Sequence, residues 1–124
     1  MLQKSDKNYT ILHSLDGYDE ISLTGKFKKI SNTDEIIASP EQIGFPTQNK
    51  DTIFGGNTVK EAAVIFTNVL QNKGTQCQQN VVLANAAHAI QCMEPSKILE
   101  DCIAIAKESL MSGKALTSLK KVTQ

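Results

Sequence analysis

The sequence predicts an α/β fold in which short strands are followed by about four helices. Before Asn57, short runs of β-branched residues are broken by Gly, Pro and Asp, and after it comes an alanine-rich stretch with helical periodicity. The length of 124 residues suits one domain and is too short for two of ordinary size. We therefore expect a strand-rich part, residues 1–56, and a helical part, residues 57–124, that share a single core.

The first part contains three predicted strands. Residues 9–12 form a short apolar run, residues 20–30 alternate loosely around a glycine, and residues 34–38 carry two isoleucines before a proline. Loops are predicted over residues 40–52 and 55–57, because Gly and Pro there interrupt any regular period.

The first two predicted helices differ in their polarity. Thr58 and Glu61 match the S/T-x-x-E capping box, and one apolar stripe follows them until Gly74. The second helix, residues 80–93, has almost no polar face, so we expect it to be buried on most sides. Asn85 within it is predicted to be a buried amide that bonds to neighbouring backbone.

Two further helices follow. Pro95 suits the first turn of a third helix that extends to Gly113, and residues 115–122 form a short last helix. Three strands and four helices, one of them apolar nearly all round, are more than one amphipathic layer can cover. We therefore expect a partner surface, from another chain or from a further part of the same protein.

Composition excludes several classes of function. All 13 basic residues are Lys and they balance 13 acidic residues, so binding to nucleic acid through net charge is not expected. No apolar run reaches the roughly 18 residues that a membrane span needs, and residues 1–8 do not resemble an export signal. Three cysteines at spacings that match no redox or zinc motif indicate reduced thiols, and hence a cytoplasmic protein without membrane association.

The densest polar cluster, residues 13–20, follows the first predicted strand. Asp16, Asp19 and Glu20 place three carboxylates within five residues, and a hard divalent cation such as Mg²⁺ would relieve their repulsion. The alternative is a turn at Asp16 and Gly17 with the other two carboxylates solvated. Both interpretations are compatible with the spacing.

Other polar positions have a structural interpretation beside the functional one. Residues 55–57, Gly-Gly-Asn ahead of a helix, could cradle an anion, but a flexible turn that caps the helix is the simpler interpretation. His13 and His88 lack a Cys or His partner at ligand spacing and are expected to be satisfied structural histidines. The three cysteines are expected to be small core residues.

Five segments, in order along the chain, resemble the anthranilate phosphoribosyltransferase family. The first, LDGYDEIS, is similar to that family's HGxDGLDExS segment, and the others are similar to its xPEDFGL, GGD or GGN, VLLNAA and SIDSGKAL segments. The matching segments are residues 15–22, 39–44, 55–57, 82–87 and 109–116.

The resemblance implies the C-terminal part of a nucleoside phosphorylase/phosphoribosyltransferase catalytic domain. That family joins the amine of anthranilate to C1 of the ribose of phosphoribosyl pyrophosphate in tryptophan biosynthesis and expels pyrophosphate. The family's metal-binding acidic pair corresponds to Asp19 and Glu20, which are therefore expected to bind Mg²⁺. The resemblance also implies a cytoplasmic homodimer. Ser14 and Ala62 depart from the family pattern, which usually has Gly and Asn there.

The family's GTGGD loop, KHGN segment and substrate-binding arginine lie upstream of the first matching motif, and the 124 residues contain none of them. The chain alone is therefore expected to be inactive. One alternative is a pyrimidine nucleoside phosphorylase-like protein or a paralogous phosphoribosyltransferase, although the adjacent Asp19 and Glu20 favour the tryptophan enzyme. A second alternative is a non-catalytic truncated remnant or partner subunit.

Overall fold

The computed structural model describes residues 7–123, and its strand-rich part is a three-stranded antiparallel sheet. The strands are β1 (Thr10–Ser14), β2 (Phe27–Ser31) and β3 (Glu35–Ala38), and they lie in the order β1-β2-β3. Phe27, at the start of β2, lies opposite Ser14 on one side and Ala38 on the other.

The second part contains the predicted number of helices. They are α1 (Val59–Leu70), α2 (Gln76–Met93), α3 (Leu99–Met111) and α4 (Lys114–Thr123). Two short 3-10 turns, Pro40–Ile43 and Lys50–Ile53, lie in the segment predicted as a loop.

Helix α2 organises the core. It packs along α3 and contacts β1, and the segment between β1 and β2 adds the fully buried side chains of Ile21 and Leu23. The buried apolar cluster consists of Ile21, Leu23, Phe27, Ala38, Phe45, Leu83, Ala84, Ala106 and Leu110. Residues from both predicted parts thus share one core, because burial of apolar surface is the main driving force for packing the layers together.

The predicted strand over residues 20–30 is wrong in its first half. Strand β2 begins at Phe27, and the chain before it is irregular. Leu23 has a φ of +61° with its side chain fully buried, a left-handed conformation that a strand cannot contain. The other two strands are confirmed, with β1 extending to Ser14.

Two predicted helix starts are also wrong. Helix α2 begins at Gln76, because Thr75 and Gln78 form a capping box with backbone-to-side-chain distances of 3.1 and 3.0 Å. Helix α3 begins at Leu99, after an extended Ile98, so Pro95 lies in the preceding turn and not in the helix.

The distribution of buried apolar surface differs from the expected one. Helix α1 exposes most of its predicted stripe: Val59 is 88% and Phe66 55% exposed, and only Val69 is buried. Helix α2 is buried along one side but exposes Val82. Much of the uncovered apolar surface therefore lies on α1, and Ile36 and Ile37 of β3 are exposed as well. None of the helices between residues 7 and 123 has the length and hydropathy of a membrane span.

Candidate functional site

Asp19 and Glu20 lie in the connection between β1 and β2, residues 15–26, which we call the acidic loop. Both residues are exposed to solvent. Neither carboxylate forms a hydrogen bond or an ion pair with any residue from 7 to 123. Two neighbouring negative charges are therefore available to a ligand.

Asp16 in the same loop is already engaged. The hydroxyl of Thr24 donates a hydrogen bond to Asp16 Oδ2 at 2.5 Å. Gly17, with a φ of +105°, donates its amide to the carbonyl of Ser14 at 3.2 Å. The turn interpretation therefore holds for Asp16 and Gly17, whereas Asp19 and Glu20 remain free.

Ser14, the last residue of β1, bonds to the backbone at the C-terminal end of the acidic dipeptide, which we define as Asp19 and Glu20. Its hydroxyl donates to the carbonyl oxygen of Glu20 at 2.5 Å and accepts from the amide of Ser22 at 3.1 Å. The side chain is fully buried beside Phe27, its neighbour in the sheet register. A hydroxyl at this position thus sets the local backbone geometry of the acidic loop.

Asn85 on α2 bonds to the same stretch of backbone. Its Oδ1 accepts from the amide of Ile21 at 3.0 Å, and its Nδ2 donates to the carbonyl of Ile21 at 2.8 Å. Nδ2 also donates to the carbonyl of Val81 at 2.9 Å. Asn85 bonds to backbone as predicted, but it is half-buried instead of buried, and its main partner lies 64 residues away in the chain.

The acidic pair is compatible with Mg²⁺ as an incomplete set of ligands. Among the residues that the structure describes, 7–123, no group of three or more His, Cys, Asp or Glu side chains could hold a metal ion. Mg²⁺ usually keeps several waters and takes one or two carboxylates together with substrate phosphates. Two free, adjacent carboxylates fit that pattern, and phosphate and water would supply the other oxygens.

The acidic loop lies beside the second predicted ligand segment. Tyr18 lines an open groove together with Lys50, Phe54 and Gly55. The groove therefore joins the acidic loop to residues 55–57, which we call the glycine loop.

One amide of the glycine loop, that of Asn57, bonds to the helix that follows the loop. The Asn57 amide donates to Glu61 Oε2 at 2.6 Å, and the Thr58 hydroxyl accepts from the Glu61 amide at 3.1 Å. The interpretation of residues 55–57 as a turn that leads into a capped helix is confirmed. The predicted capping box is corrected in one detail, because the carboxylate bonds to the amide of Asn57 and not to that of Thr58.

The matching segment at residues 39–44 also forms internal contacts. Ser39 precedes a 3-10 turn, and the carboxylate of Glu41 accepts from the hydroxyl and the amide of Thr47 at 2.5 and 2.7 Å. These hydrogen bonds, the hydroxyl's first, lower the pKa of Glu41. Glu41 therefore fixes a loop in this structure.

The two histidines have different environments. His88 is buried, its Nδ1 lies 2.8 Å from the carbonyl of Ala84, and its ring meets Phe27 edge to face. Burial lowers the pKa of His88, as expected for a structural histidine. His13 is exposed on β1. No hydrogen bond of its ring is found between residues 7 and 123, so the structural prediction holds for His88 alone.

The cysteines are free thiols, as predicted. Cys102 is fully buried, whereas Cys77 and Cys92 are half-buried. Only Cys102 thus meets the expectation of a core residue in full.

The sequence matches a family model described as "Glycosyl transferase family, a/b domain" over residues 2–116. The anthranilate phosphoribosyltransferase of Phocaeicola vulgatus is 50% identical over 124 residues, which are all of this chain and 38% of that protein. The enzyme of the same name from Christiangramia forsetii is 52% identical over 122 residues, which are 98% of this chain and 37% of that protein. The chain thus spans less than two fifths of these relatives and corresponds to a C-terminal portion of them.

Solved structures show the same fold. The anthranilate phosphoribosyltransferase of Thermus thermophilus superposes with a TM-score of 0.79 at 21% identity, over 92% of this chain and 34% of that one. The Saccharomyces cerevisiae enzyme in complex with PRPP and Mg superposes with a TM-score of 0.78 at 22% identity, over 91% of this chain and 32% of that one. Since the family model covers nearly all of the sequence, the chain belongs to the glycosyl transferase family and forms part of its a/b domain.

Proposed function

We propose that this chain acts as the C-terminal part of an anthranilate phosphoribosyltransferase and supplies the Mg²⁺ ligands Asp19 and Glu20. The observation that carries the proposal is the pair of free carboxylates on a loop whose backbone is held by Ser14 and Asn85. The relatives of that name, about half identical over the whole chain, support the choice of reaction. Residues 1–124 then belong to one catalytic domain, in which residues 1–56 carry the metal motif.

In the proposed reaction, the amine nitrogen of anthranilate forms a bond to C1 of the ribose while the bond from C1 to the pyrophosphate oxygen breaks. The bonding electron pair leaves with pyrophosphate, and the amine loses a proton. Mg²⁺ supplies neutralisation of the negative charge on the departing pyrophosphate. Asp19 and Glu20 would hold that charge-neutralising ion, and Tyr18 of the same loop lines the neighbouring groove.

The Saccharomyces cerevisiae enzyme in complex with PRPP and Mg shares the fold of this chain, and its Mg supports the use of Mg²⁺ by the complete enzyme. We propose further that the complete enzyme is a cytoplasmic homodimer, as the family resemblance implies.

The experiment that tests the function is a chimera in which this chain replaces the matching portion of the Phocaeicola vulgatus relative. We expect the purified chimera to form phosphoribosyl anthranilate from anthranilate and phosphoribosyl pyrophosphate in the presence of Mg²⁺. The chain alone should show no turnover, because it provides under two fifths of the relative's length.

The unmodified relative is the positive control. A folded chimera that is inactive with anthranilate, or that instead cleaves pyrimidine nucleosides with phosphate, would contradict the proposal. Turnover by the isolated chain would contradict the expectation that this segment is insufficient alone.

A further inference from the structure

We propose that Ser14 and Asn85 are positioning residues that fix the acidic loop for metal binding. The inference rests on the proposed function, since it concerns the ion that Asp19 and Glu20 would hold. Ser14 and Asn85 touch neither carboxylate and act only through the backbone between Glu20 and Ser22.

The two side chains share two consecutive peptide units. In the unit between Glu20 and Ile21, Ser14 bonds to the carbonyl and Asn85 to the amide. In the unit between Ile21 and Ser22, the assignment is reversed: Asn85 bonds to the carbonyl and Ser14 to the amide. Four consecutive backbone groups are thus satisfied by two side chains from different elements, where a strand would otherwise use a neighbouring strand.

The anchors themselves are rigid. Ser14 is fully buried at the end of β1, and Asn85 lies in the middle of α2 with an additional bond to its own helix. Ile21, between the two peptide units, is fully buried in the core. Any shift of the acidic dipeptide relative to the sheet and α2 therefore breaks hydrogen bonds that are buried or partly buried, which is unfavourable.

A chain of hydroxyl groups extends this support to the other side of the dipeptide. Ser14 Oγ lies 3.0 Å from Ser22 Oγ, which lies 2.7 Å from the hydroxyl of Thr24, and Thr24 donates to Asp16. The acidic dipeptide lies between Asp16 and Ser22 in sequence. Since Ser14 donates to Glu20 and Thr24 to Asp16, the hydroxyl of Ser22 donates to one of its two neighbours. The network thus contacts the side chain of Asp16 before the dipeptide and the backbone from Glu20 to Ser22 at its end, and it leaves both carboxylates of the dipeptide free.

This arrangement predicts an effect on metal affinity that is separate from stability. A fixed loop presents both carboxylates with little loss of conformational freedom on binding. Partners that orient metal ligands typically contribute a factor of about 10 to 100 in metal affinity. Loss of Ser14 or Asn85 support should weaken binding of the ion without removing a ligand.

The test uses the chimera, with Mn²⁺ as a spectroscopic substitute for Mg²⁺ in the presence of phosphoribosyl pyrophosphate. We expect Ser14→Ala and Asn85→Leu each to raise the Mn²⁺ dissociation constant, measured by electron paramagnetic resonance, by about tenfold. Turnover at saturating metal should fall by a smaller factor. Hydrogen exchange at residues 19–22 should become faster in the metal-free variants.

The matched control is Asn80→Leu. Asn80 is a buried amide on the same helix that accepts a hydrogen bond from Gln76 and has no bond to the acidic loop. Its replacement should lower thermal stability and leave the Mn²⁺ dissociation constant unchanged. An equal rise for Asn80→Leu would show a general effect of destabilisation and would overturn the proposal.

The outcomes separate this inference from the proposed function. Folded Ser14→Ala and Asn85→Leu chimeras that bind Mn²⁺ like the parent overturn the positioning role, and if Asn85→Leu does not fold, Ser14→Ala alone decides. The double variant Asp19→Asn, Glu20→Gln provides the reference. If it binds less Mn²⁺ while Ser14→Ala does not, the proposed function stands and the inference fails.

Discussion

The acidic loop and the glycine loop contain the same kinds of groups but pair them in opposite ways. In the acidic loop, the backbone groups around Ile21 bond to Ser14 and Asn85, and the carboxylates of the dipeptide stay free. In the glycine loop, the backbone amide of Asn57 bonds to the carboxylate of Glu61. The two loops border one groove, yet only the acidic loop has charged side chains without a hydrogen-bond partner among the described residues.

The difference shows that the available charge, and not the sequence motif, decides what each loop can bind. The glycine loop resembles an anion cradle, but its own helix already supplies the anion at the N-terminus, where negative charge is favourable. The acidic loop resembles a turn, but the backbone groups around Ile21 already have hydrogen-bond partners, so its carboxylates are the groups left for a ligand. A cation is therefore the ligand that the two unpaired carboxylates of the acidic loop favour.

The largest expected effect comes from removing, in separate variants, a carboxylate of the acidic loop and the α1 carboxylate that bonds to the glycine loop. In the chimera, Asp19→Asn should lower turnover at limiting Mg²⁺ by at least about tenfold with little change in melting temperature, because an ion ligand is lost. Glu61→Ala should leave the Mg²⁺ dependence unchanged and destabilise the fold by about 1 kcal/mol, because a cap is lost.

Rate measurements across a series of Mg²⁺ concentrations, paired with thermal unfolding of both variants, test these opposite effects on turnover and stability. A shift of the Mg²⁺ dependence by Glu61→Ala as large as that by Asp19→Asn would break the distinction between the loops.

A smaller effect should distinguish the two loops by their glycines. Gly56 and Gly17 both have positive φ values, +87° and +105°. A Cβ on Gly56 would lie 2.8 Å from Cβ of Glu61, whereas one on Gly17 would meet no atom within 4 Å. Gly17→Ala should destabilise by about 1 kcal/mol from the left-handed backbone alone. Gly56→Ala should destabilise by about 2 kcal/mol or more, because the clash is added.

Urea unfolding of both variants measures the difference directly. Equal destabilisation would mean that the glycine loop is not closed against Glu61.

The smallest effect concerns Asp16. Thr24→Val removes the hydrogen bond to this carboxylate at a partly exposed position, so we expect a loss of stability of about 0.5 kcal/mol. The Mn²⁺ dissociation constant should rise less than for Ser14→Ala, because Thr24 bonds to the side chain of Asp16 and not to the backbone of the acidic dipeptide. Isothermal unfolding and a Mn²⁺ titration check both expectations, and tighter Mn²⁺ binding by Thr24→Val would identify Asp16 as a competing ligand.

Local signals in the sequence predict most of the fold. The Thr58 cap, the number of helices and two of the three strands are visible because they depend on residues a few positions apart. The start of α2 at Gln76, before the predicted residue 80, also has a local signal, because Thr75 and Gln78 have the spacing of a capping box. The start of α3 is less accessible, since Pro95 is tolerated both in a first turn and in the loop before it.

The irregular segment before β2 could not be predicted from its own residues. Residues 20–26 alternate like a strand, but the backbone from Glu20 to Ser22 bonds to side chains on β1 and α2. Leu23 adopts a positive φ, which bulky residues rarely take. Burial of its side chain in the core offsets that strain. Tertiary contacts here override local propensity.

The candidate site could be predicted only in part for the same reason. Asp19 and Glu20 follow from the family resemblance, whereas their spacing alone favours a solvated turn. The role of Ser14 has one sequence signal, a polar residue where the family has glycine. The pairing of Asn85 with Ile21 spans 64 residues and has no local signature. Likewise, no pattern shows that α1 exposes most of its apolar stripe whereas α2 buries one side.

The most direct test of the acidic loop as the metal site is a Mn²⁺ titration of the chimera and its Asp19→Asn, Glu20→Gln variant with phosphoribosyl pyrophosphate present. Paired thermal unfolding in EDTA controls for folding. The two amides preserve size while they remove both charges, so the variant should remain folded. If each lost carboxylate costs at least the tenfold that is typical of losing a partner that orients a metal ligand, the variant should bind Mn²⁺ at least about 100-fold more weakly. A folded variant with the parent's Mn²⁺ affinity would contradict the assignment and make residues 16–20 a solvated turn.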